Sequence, residues 1–311
     1  MKNGFTIFSG TANPALAAAI GHELGVQLGD CAIDRFPDGE VAVEIRESVR
    51  SKEVLLVQPT APPVNDHLVE LLALADACRR AAAACITAIV PYLGYARSDK
   101  RHGRREPITA RVIADLFQAV GIARVFTVDL HTPQIEGFFY VPVDSMTAVP
   151  ILSRALCNLL PPDAVVVAPD SGRVAMATHY AQCLGAPVIV LHKRRESGSD
   201  TKVTHIVGDV SGRPCLIVDD MISTGGTMAE SVTALLAAGV RPEMIVAATH
   251  GLLLMGARAK LEHPAVRAVF VTDTVSVTEK DWPRLRIVSI APLVASALAR
   301  FLADGSIGDL C

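Results

Sequence analysis

Leu216-Ile217-Val218-Asp219-Asp220-Met221-Ile222-Ser223-Thr224-Gly225-Gly226-Thr227 is the stretch that decides the fold. An apolar, β-branched segment passes through two adjacent acids into a Thr-Gly-Gly-Thr loop, and residues 227–238 continue with a helical pattern. A short run buried on both faces that empties through glycines into a helix is one arm of a parallel α/β sheet. Working outward, short apolar runs at 54–57, 86–90, 125–128, 165–168, 188–191, 244–248, 268–271 and 287–290 read as further strands. Helical patterns lie between several of them, at 65–84, 109–120, 146–160 and 173–184. In the first, Leu68, Leu71, Leu72 and Ala75 share a face and Asn65 is a candidate N-cap. Strand, helix, strand along the whole length predicts α/β domains with mainly parallel sheets, whose ligands bind in loops beyond the carboxyl ends of the strands.

Composition narrows the class. The 311 residues are 50% hydrophobic, 20% charged and 5% aromatic, with 29 basic against 32 acidic side chains and a net charge of −3. That is far from a disordered chain, and it lacks the basic excess or aromatic surface of a dedicated nucleic-acid binder. The length suggests two domains, and Val141-Pro142-Val143-Asp144 is a natural division. Seven widely spaced cysteines without CxxC or zinc-finger spacing read as reduced thiols. No uncharged run reaches membrane-spanning length without Pro, His or Gly, so the expectation is a cytoplasmic protein with neither nucleic acid nor membrane as partner.

The chemistry-bearing residues gather at strand ends. In 216–227 the glycines let backbone N–H groups approach phosphate oxygens, Thr224 and Thr227 add hydroxyls, and the emerging helix presents its positive end. Asp219 and Asp220 suit ribose hydroxyls or a Mg²⁺-bound substrate; the plain alternative is an acidic turn before a glycine-rich helix cap. Neither a Walker A sequence nor GxGxxG is present. In Arg35-Phe36-Pro37-Asp38-Gly39-Glu40 the ring offers a stacking face and the acids can accept from an exocyclic amine, although alone the segment reads as a Pro-Asp-Gly turn with Phe36 in the core. Five Lys or Arg residues within 97–105 suit polyphosphate or a solvated loop. His131, two positions after Asp129, and Asp170 close two further runs. Lys193 and Arg195 close another, ahead of a polar stretch at 196–202 that reads as a mobile loop.

Residues 216–227 resemble the phosphoribosyl diphosphate binding signature of type I phosphoribosyltransferases. Four further stretches point more narrowly: 35–40, Pro91-Tyr92-Leu93-Gly94-Tyr95-Ala96-Arg97-Ser98-Asp99, Arg105-Glu106-Pro107-Ile108-Thr109-Ala110, and Asp129-Leu130-His131 with Gln134-Ile135-Glu136-Gly137-Phe138-Phe139. With them the chain resembles, over essentially its full length, the ribose-phosphate diphosphokinases, also called phosphoribosyl pyrophosphate synthetases. The resemblance implies two phosphoribosyltransferase type I, Rossmann-like domains, each a mainly parallel sheet flanked by helices. Residues 1–145 would contact ATP and 146–311 ribose 5-phosphate, with the last ~15 residues a candidate to pack back on the first domain and the active site expected where the two meet.

It also implies roles. Phe36, Asp38 and Glu40 reach adenine from a neighbouring subunit; Arg97, Ser98, Asp99 and His131 attend the nucleotide; and His131 and Asp170 attend Mg²⁺. Lys193 and Arg195 are the catalytic cations, Arg195 also meeting ribose 5-phosphate, while Asp219, Asp220, Ser223, Thr224, Gly225, Gly226 and Thr227 hold that substrate. Ser98 replaces the glutamine of most members, Ser223 replaces an aspartate, and residues 305–311 only partly match the serine-rich ending tied to phosphate activation and ADP inhibition. The implied reaction passes the diphosphoryl group of Mg-ATP to the anomeric hydroxyl of ribose 5-phosphate. The implied assembly is a homo-oligomer, at least a dimer, with tetramer and hexamer as larger forms. The rival readings are a non-catalytic regulatory subunit of a synthetase complex and a type I phosphoribosyltransferase.

Overall fold

Runs that read as two-sided apolar segments become central strands because both faces of each sheet are covered. The computed structural model describes residues 4–101, 103–197, 200–278 and 281–311, with 193–197 and 200–204 described by backbone. The chain forms two compact units, one of residues 1–147, 274–276 and 289–311, the other of 148–273 and 277–288. Residues 289–311, at the end of the chain, belong with the first unit.

The first unit opens with β1 (Phe5–Ser9), α1 (Pro14–Glu23) and an antiparallel hairpin of β2 (Cys31–Arg35) and β3 (Val41–Ile45). There follow β4 (Glu53–Val57), α2 (Val64–Arg80), β5 (Cys85–Ile89), α3 (Thr109–Ala119), β6 (Arg124–Val128) and β7 (Val143–Met146). Its five-stranded sheet has the order β1-β4-β5-β6-β7 and is parallel throughout. The stretch 141–144, which reads as a division in the sequence, enters the last strand of this sheet. Asn65 is not the cap of α2: Pro63 holds that position, and Asn65 lies in the first turn with its Oδ1 accepting from the Tyr95 hydroxyl. One buried carboxylate ties helix to sheet. Glu70 of α2, fully buried, accepts from Thr11 N (2.6 Å), Thr11 Oγ1 (2.7 Å) and Gln58 Nε2 (2.7 Å), which fixes the loop after β1.

The second unit contains α4 (Val149–Leu156), β8 (Val165–Ala168), α5 (Val174–Leu184), β9 (Val188–Ser197), β10 (Asp200–Val207), β11 (Cys215–Ile222) and α6 (Gly226–Ala237). It continues with β12 (Met244–Gly251), α7 (Ala257–Leu261), β13 (Val266–Thr272) and β14 (Leu285–Val288). Seven strands run β10-β9-β8-β11-β12-β13-β14, parallel except for β10. A core of Val165, Val167, Ile217, Leu235, Val246, Val269 and Trp282, among others, fills this unit. The helix expected from residue 146 starts at Val149, because residues through Met146 are spent on β7 and Pro150 suits a first turn. The stretch 196–202, expected as a loop, instead contributes its described residues to the antiparallel pair β9 and β10. The last helix, α8 (Ala291–Leu302), belongs to the first unit, where Phe301 meets Phe126 edge-on at 5.5 Å and lies 5.0 Å under the Arg124 guanidinium.

Candidate active site

The second unit assembles its polar residues at the carboxyl ends of β8 and β11. These strands pair in parallel through Cys215↔Val165, Leu216↔Val166 and Ile217↔Val167. Both chains then run on together, one into Asp219-Asp220 and the other into the loop of Asp170. Asp170 caps a short 3₁₀ turn, its Oδ1 accepting from Gly172 N at 2.8 Å, and the turn delivers Arg173 to the acids. Arg173 Nε stands 2.9 Å from Asp219 Oδ1 and Nη2 stands 3.3 Å from Asp220 Oδ1. Asp219 Oδ1 also accepts from Asp220 N at 2.9 Å. Burial, and then the charge of Asp220, push the Asp219 carboxyl well above the usual carboxylate range, with Arg173 acting in the opposite direction.

Beyond the acids the chain turns into α6 through a loop with the construction of an anion cradle. Gly225 takes φ +72°, and its carbonyl accepts from Ala229 N at 3.0 Å. The carbonyls of Ile222 and Ser223, which would repel an anion, are turned to Leu253 N (3.0 Å) and Leu254 N (2.9 Å). Thr224 and Thr227 are exposed, and the N-cap of the twelve-residue α6 is Gly225, which has no side chain to cap it, so the positive end of the helix faces the loop. Lys193 and Arg195 lie on the backbone of β9, opposite Val203 and Thr201 of β10; their side chains fall outside the described residues.

In the first unit, Phe36, Asp38 and Glu40 occupy the tip of the β2–β3 hairpin. Phe36 N donates to Glu40 O (2.8 Å) and Glu40 N to Asp38 Oδ1 (3.1 Å), which closes the turn and leaves the Phe36 ring 55% exposed rather than in the core. Arg97 and Ser98 line a cavity of about 420 Å³ with Val64, Asn65, Tyr92 and Tyr95. Asp99 is buried and accepts from Thr132 Oγ1 (2.8 Å) and Gln134 Nε2 (3.1 Å), so it ties the Arg97 loop to the loop that carries His131. Asp170 is the hard oxygen donor that suits Mg²⁺, whereas the His131 imidazole is better matched to a phosphate oxygen. Among the described residues no three His, Cys, Asp or Glu side chains cluster as a metal site.

Comparison with known proteins decides the family. A sequence model for the N-terminal domain of ribose phosphate pyrophosphokinase matches residues 5–121, and one for the phosphoribosyl synthetase-associated domain matches 197–311. A ribose-phosphate pyrophosphokinase from Caldanaerobacter subterraneus is 43% identical over 310 residues, covering 99% of this chain and 98% of that one. The chain belongs to the ribose-phosphate pyrophosphokinase family. A Brucella melitensis member is 40% identical over 98% of this chain and 99% of its own. The solved structure of a phosphoribosylpyrophosphate synthetase from Mycobacterium smegmatis superposes with a TM-score of 0.88 at 41% identity, covering 97% of this chain and 100% of that one.

Two features of this family member escape a reading by motif. Arg173 follows the Asp170 motif as one more polar residue at a helix start, and only the register of β8 against β11 shows that it meets two acids. The loop after β12, with Leu253 at φ +42°, lies far along the sequence from Ser223 yet holds its carbonyl. A hydrophobic Gly-Leu-Leu-Leu-Met run carries no chemical signature that would announce this.

Proposed function

We propose that the chain converts ribose 5-phosphate and Mg-ATP into 5-phosphoribosyl 1-diphosphate and AMP, with the first unit supplying the ATP contacts and the second the ribose phosphate contacts. The observation that carries the reading is the β11–α6 turn, where a buried acid pair is followed at once by a glycine loop with its carbonyls tied back. The 5-phosphate is held by the backbone and hydroxyls of 224–227 with Ser223, and Asp219 and Asp220 accept from the ribose hydroxyls. The anomeric oxygen attacks the β-phosphorus and AMP leaves. Such a displacement depends on positioning and charge neutralisation more than on covalent help. Lys193 and Arg195 supply cations to the transferring group, the kind of contact whose loss costs about 10²–10³ in turnover.

Arg97 and His131 serve the nucleotide phosphates, and Ser98 and Asp99 lie beside the nucleotide, Asp99 tying the loops of Arg97 and His131 together. Asp170 would hold Mg²⁺ together with substrate oxygens, and the ion would neutralise phosphoryl charge when bound. Phe36, Asp38 and Glu40 reach the adenine of a neighbouring copy, so the working form is at least a dimer, with tetramer and hexamer in scope; an aromatic ring exposed at a self-closed turn supports this. Seven cysteines that are thiols and not disulfides support a reducing, cytoplasmic setting. No helix among the described residues is long and apolar enough to cross a membrane.

The test is incubation of the purified protein with Mg-ATP and ribose 5-phosphate, with Lys193→Ala beside it. Equimolar AMP and phosphoribosyl diphosphate are expected, and the variant should lose turnover far more than substrate affinity. ADP in place of AMP would mark a simple kinase, and no AMP at all would sink the proposal.

A further inference from the structure

We infer that Arg173 is the positioning residue that sets how Asp219 and Asp220 recognise the ribose diol; the inference rests on the ribose 5-phosphate reading of that site. Two carboxylates on successive residues of one strand repel each other, and at 7% and 1% exposure they have almost no water to screen them. Asp170, nearby, adds a third negative charge to the repulsion on Asp219. Left alone, such a pair would rotate apart, and that change destroys a matched pair of acceptors.

Arg173 opposes this from a side chain that is itself only 12% exposed, with one nitrogen for each carboxylate at 2.9 Å and 3.3 Å. A guanidinium is planar, so a bridge through Nε and Nη2 fixes both acids relative to one plane and hence to each other. An ammonium could neutralise the pair but could not hold that angle. The turn that presents Asp170 also aims the bridge: Asp170 Oδ1 accepts from Gly172 N at 2.8 Å and Asp170 O accepts from Arg173 N at 3.3 Å. Arg173 is therefore built into the same rigid corner as the acids. A vicinal diol donates two hydrogens at fixed spacing, and a site with acceptors at that spacing rejects a sugar that lacks one hydroxyl, because a buried acceptor is then left unpaired. Arg173 supplies the spacing and thereby the discrimination between ribose and 2-deoxyribose.

The experiment compares wild type, Arg173→Met and Arg173→Lys, following AMP release with ribose 5-phosphate or 2-deoxyribose 5-phosphate at saturating Mg-ATP, with melting temperatures alongside. For Arg173→Met, KM for ribose 5-phosphate should rise on the order of tenfold, matching loss of one charge-assisted contact. Its KM for ATP should stay at the wild-type value, and its preference for ribose over 2-deoxyribose should shrink. Arg173→Lys should recover part of the affinity and little of the preference. Unchanged KM and preference in Arg173→Met would overturn the inference. So would a uniform loss of kcat and both affinities that follows a lowered melting temperature, since that is what a purely structural ion pair predicts. If Arg173→Met does not fold, Arg173→Lys decides: full wild-type preference for ribose overturns the inference. A wild type that releases no AMP fails the proposed reaction instead, and calorimetric binding of the two sugar phosphates to the same proteins then judges Arg173 by itself.

Discussion

Replacing Gly225 by alanine isolates what the loop geometry is worth. Gly225 holds φ +72°, and a Cβ built there would lie 3.2 Å from the Ala257 carbonyl oxygen and 3.4 Å from Ala257 Cα. A left-handed backbone costs a non-glycine residue about 1–2 kcal/mol. The contact adds to this because its partner is main chain, which cannot swing aside as a side-chain tip would. A total near 2 kcal/mol is expected, within the roughly 1–3 kcal/mol typical of a strained residue. Gly226 is the control: it has no positive φ, and the nearest atom to its added Cβ is Thr224 Oγ1 at 3.7 Å. Gly226→Ala should leave stability unchanged or raise it slightly, as alanine favours a helical first turn by about 0.5–1 kcal/mol. It should nonetheless weaken ribose 5-phosphate binding by about tenfold, because a methyl group would stand where the phosphate approaches backbone N–H groups. Urea unfolding and calorimetric binding measure the two effects separately. A Gly225→Ala protein as stable as wild type would refute the strain argument, and undiminished binding by Gly226→Ala would refute the cradle.

Other consequences follow from the same geometry. Phe36→Ala should raise KM for ATP several-fold and leave the melting temperature alone, because a ring 55% exposed contributes little to its own fold; a lowered melting temperature would show that the ring is core. Glu70→Gln should destabilise by about 1.5–3 kcal/mol in urea, the worth of a charge-assisted bond, since an amide cannot accept from every donor that meets the carboxylate; an unchanged midpoint would count against the network. Burial pushes the thiols of Cys78 and Cys215 up to about 12. A thiol reagent at neutral pH should label exposed Cys157, Cys183 and Cys311 and spare these two until the protein unfolds. Because the folded state holds those protons more tightly than an ordinary thiol, which titrates at 9.0, their contribution to stability is complete below about pH 9 and is lost as pH rises toward 12. A urea midpoint that stays flat across that window would contradict the shift.

Legibility in the sequence tracked how local the physics was. Residues 215–227 announced strand, acid pair, loop and helix because each signal is a neighbour of the next, and β11 and α6 follow that order. The edge strand β10 was hidden: its polar residues pair only with β9, so no apolar run marks it. Asn65 reads as a cap because asparagine usually serves as one, but a proline two positions earlier already holds that place and tertiary contact with Tyr95 claims the amide. Arg173 and the Leu253 to Leu254 support of the phosphate loop were illegible for a different reason. Both act across strands whose register is set by the whole sheet, and no spacing within one segment encodes it.

The membership of α8 in the first unit bears on how the protein is made. On a ribosome adding about 5–20 residues per second, a 311-residue chain takes about 15–60 s to emerge. From the synthesis of β7, which ends at Met146, until α8 ends at Leu302, about half of that time, the first sheet lacks the helix that meets Phe126 and Arg124, while the residues of the second unit are being made. The unit begun first is therefore the one completed last, and a nascent chain cut before residue 289 leaves the Phe126 side of the first sheet uncovered and open to chaperones.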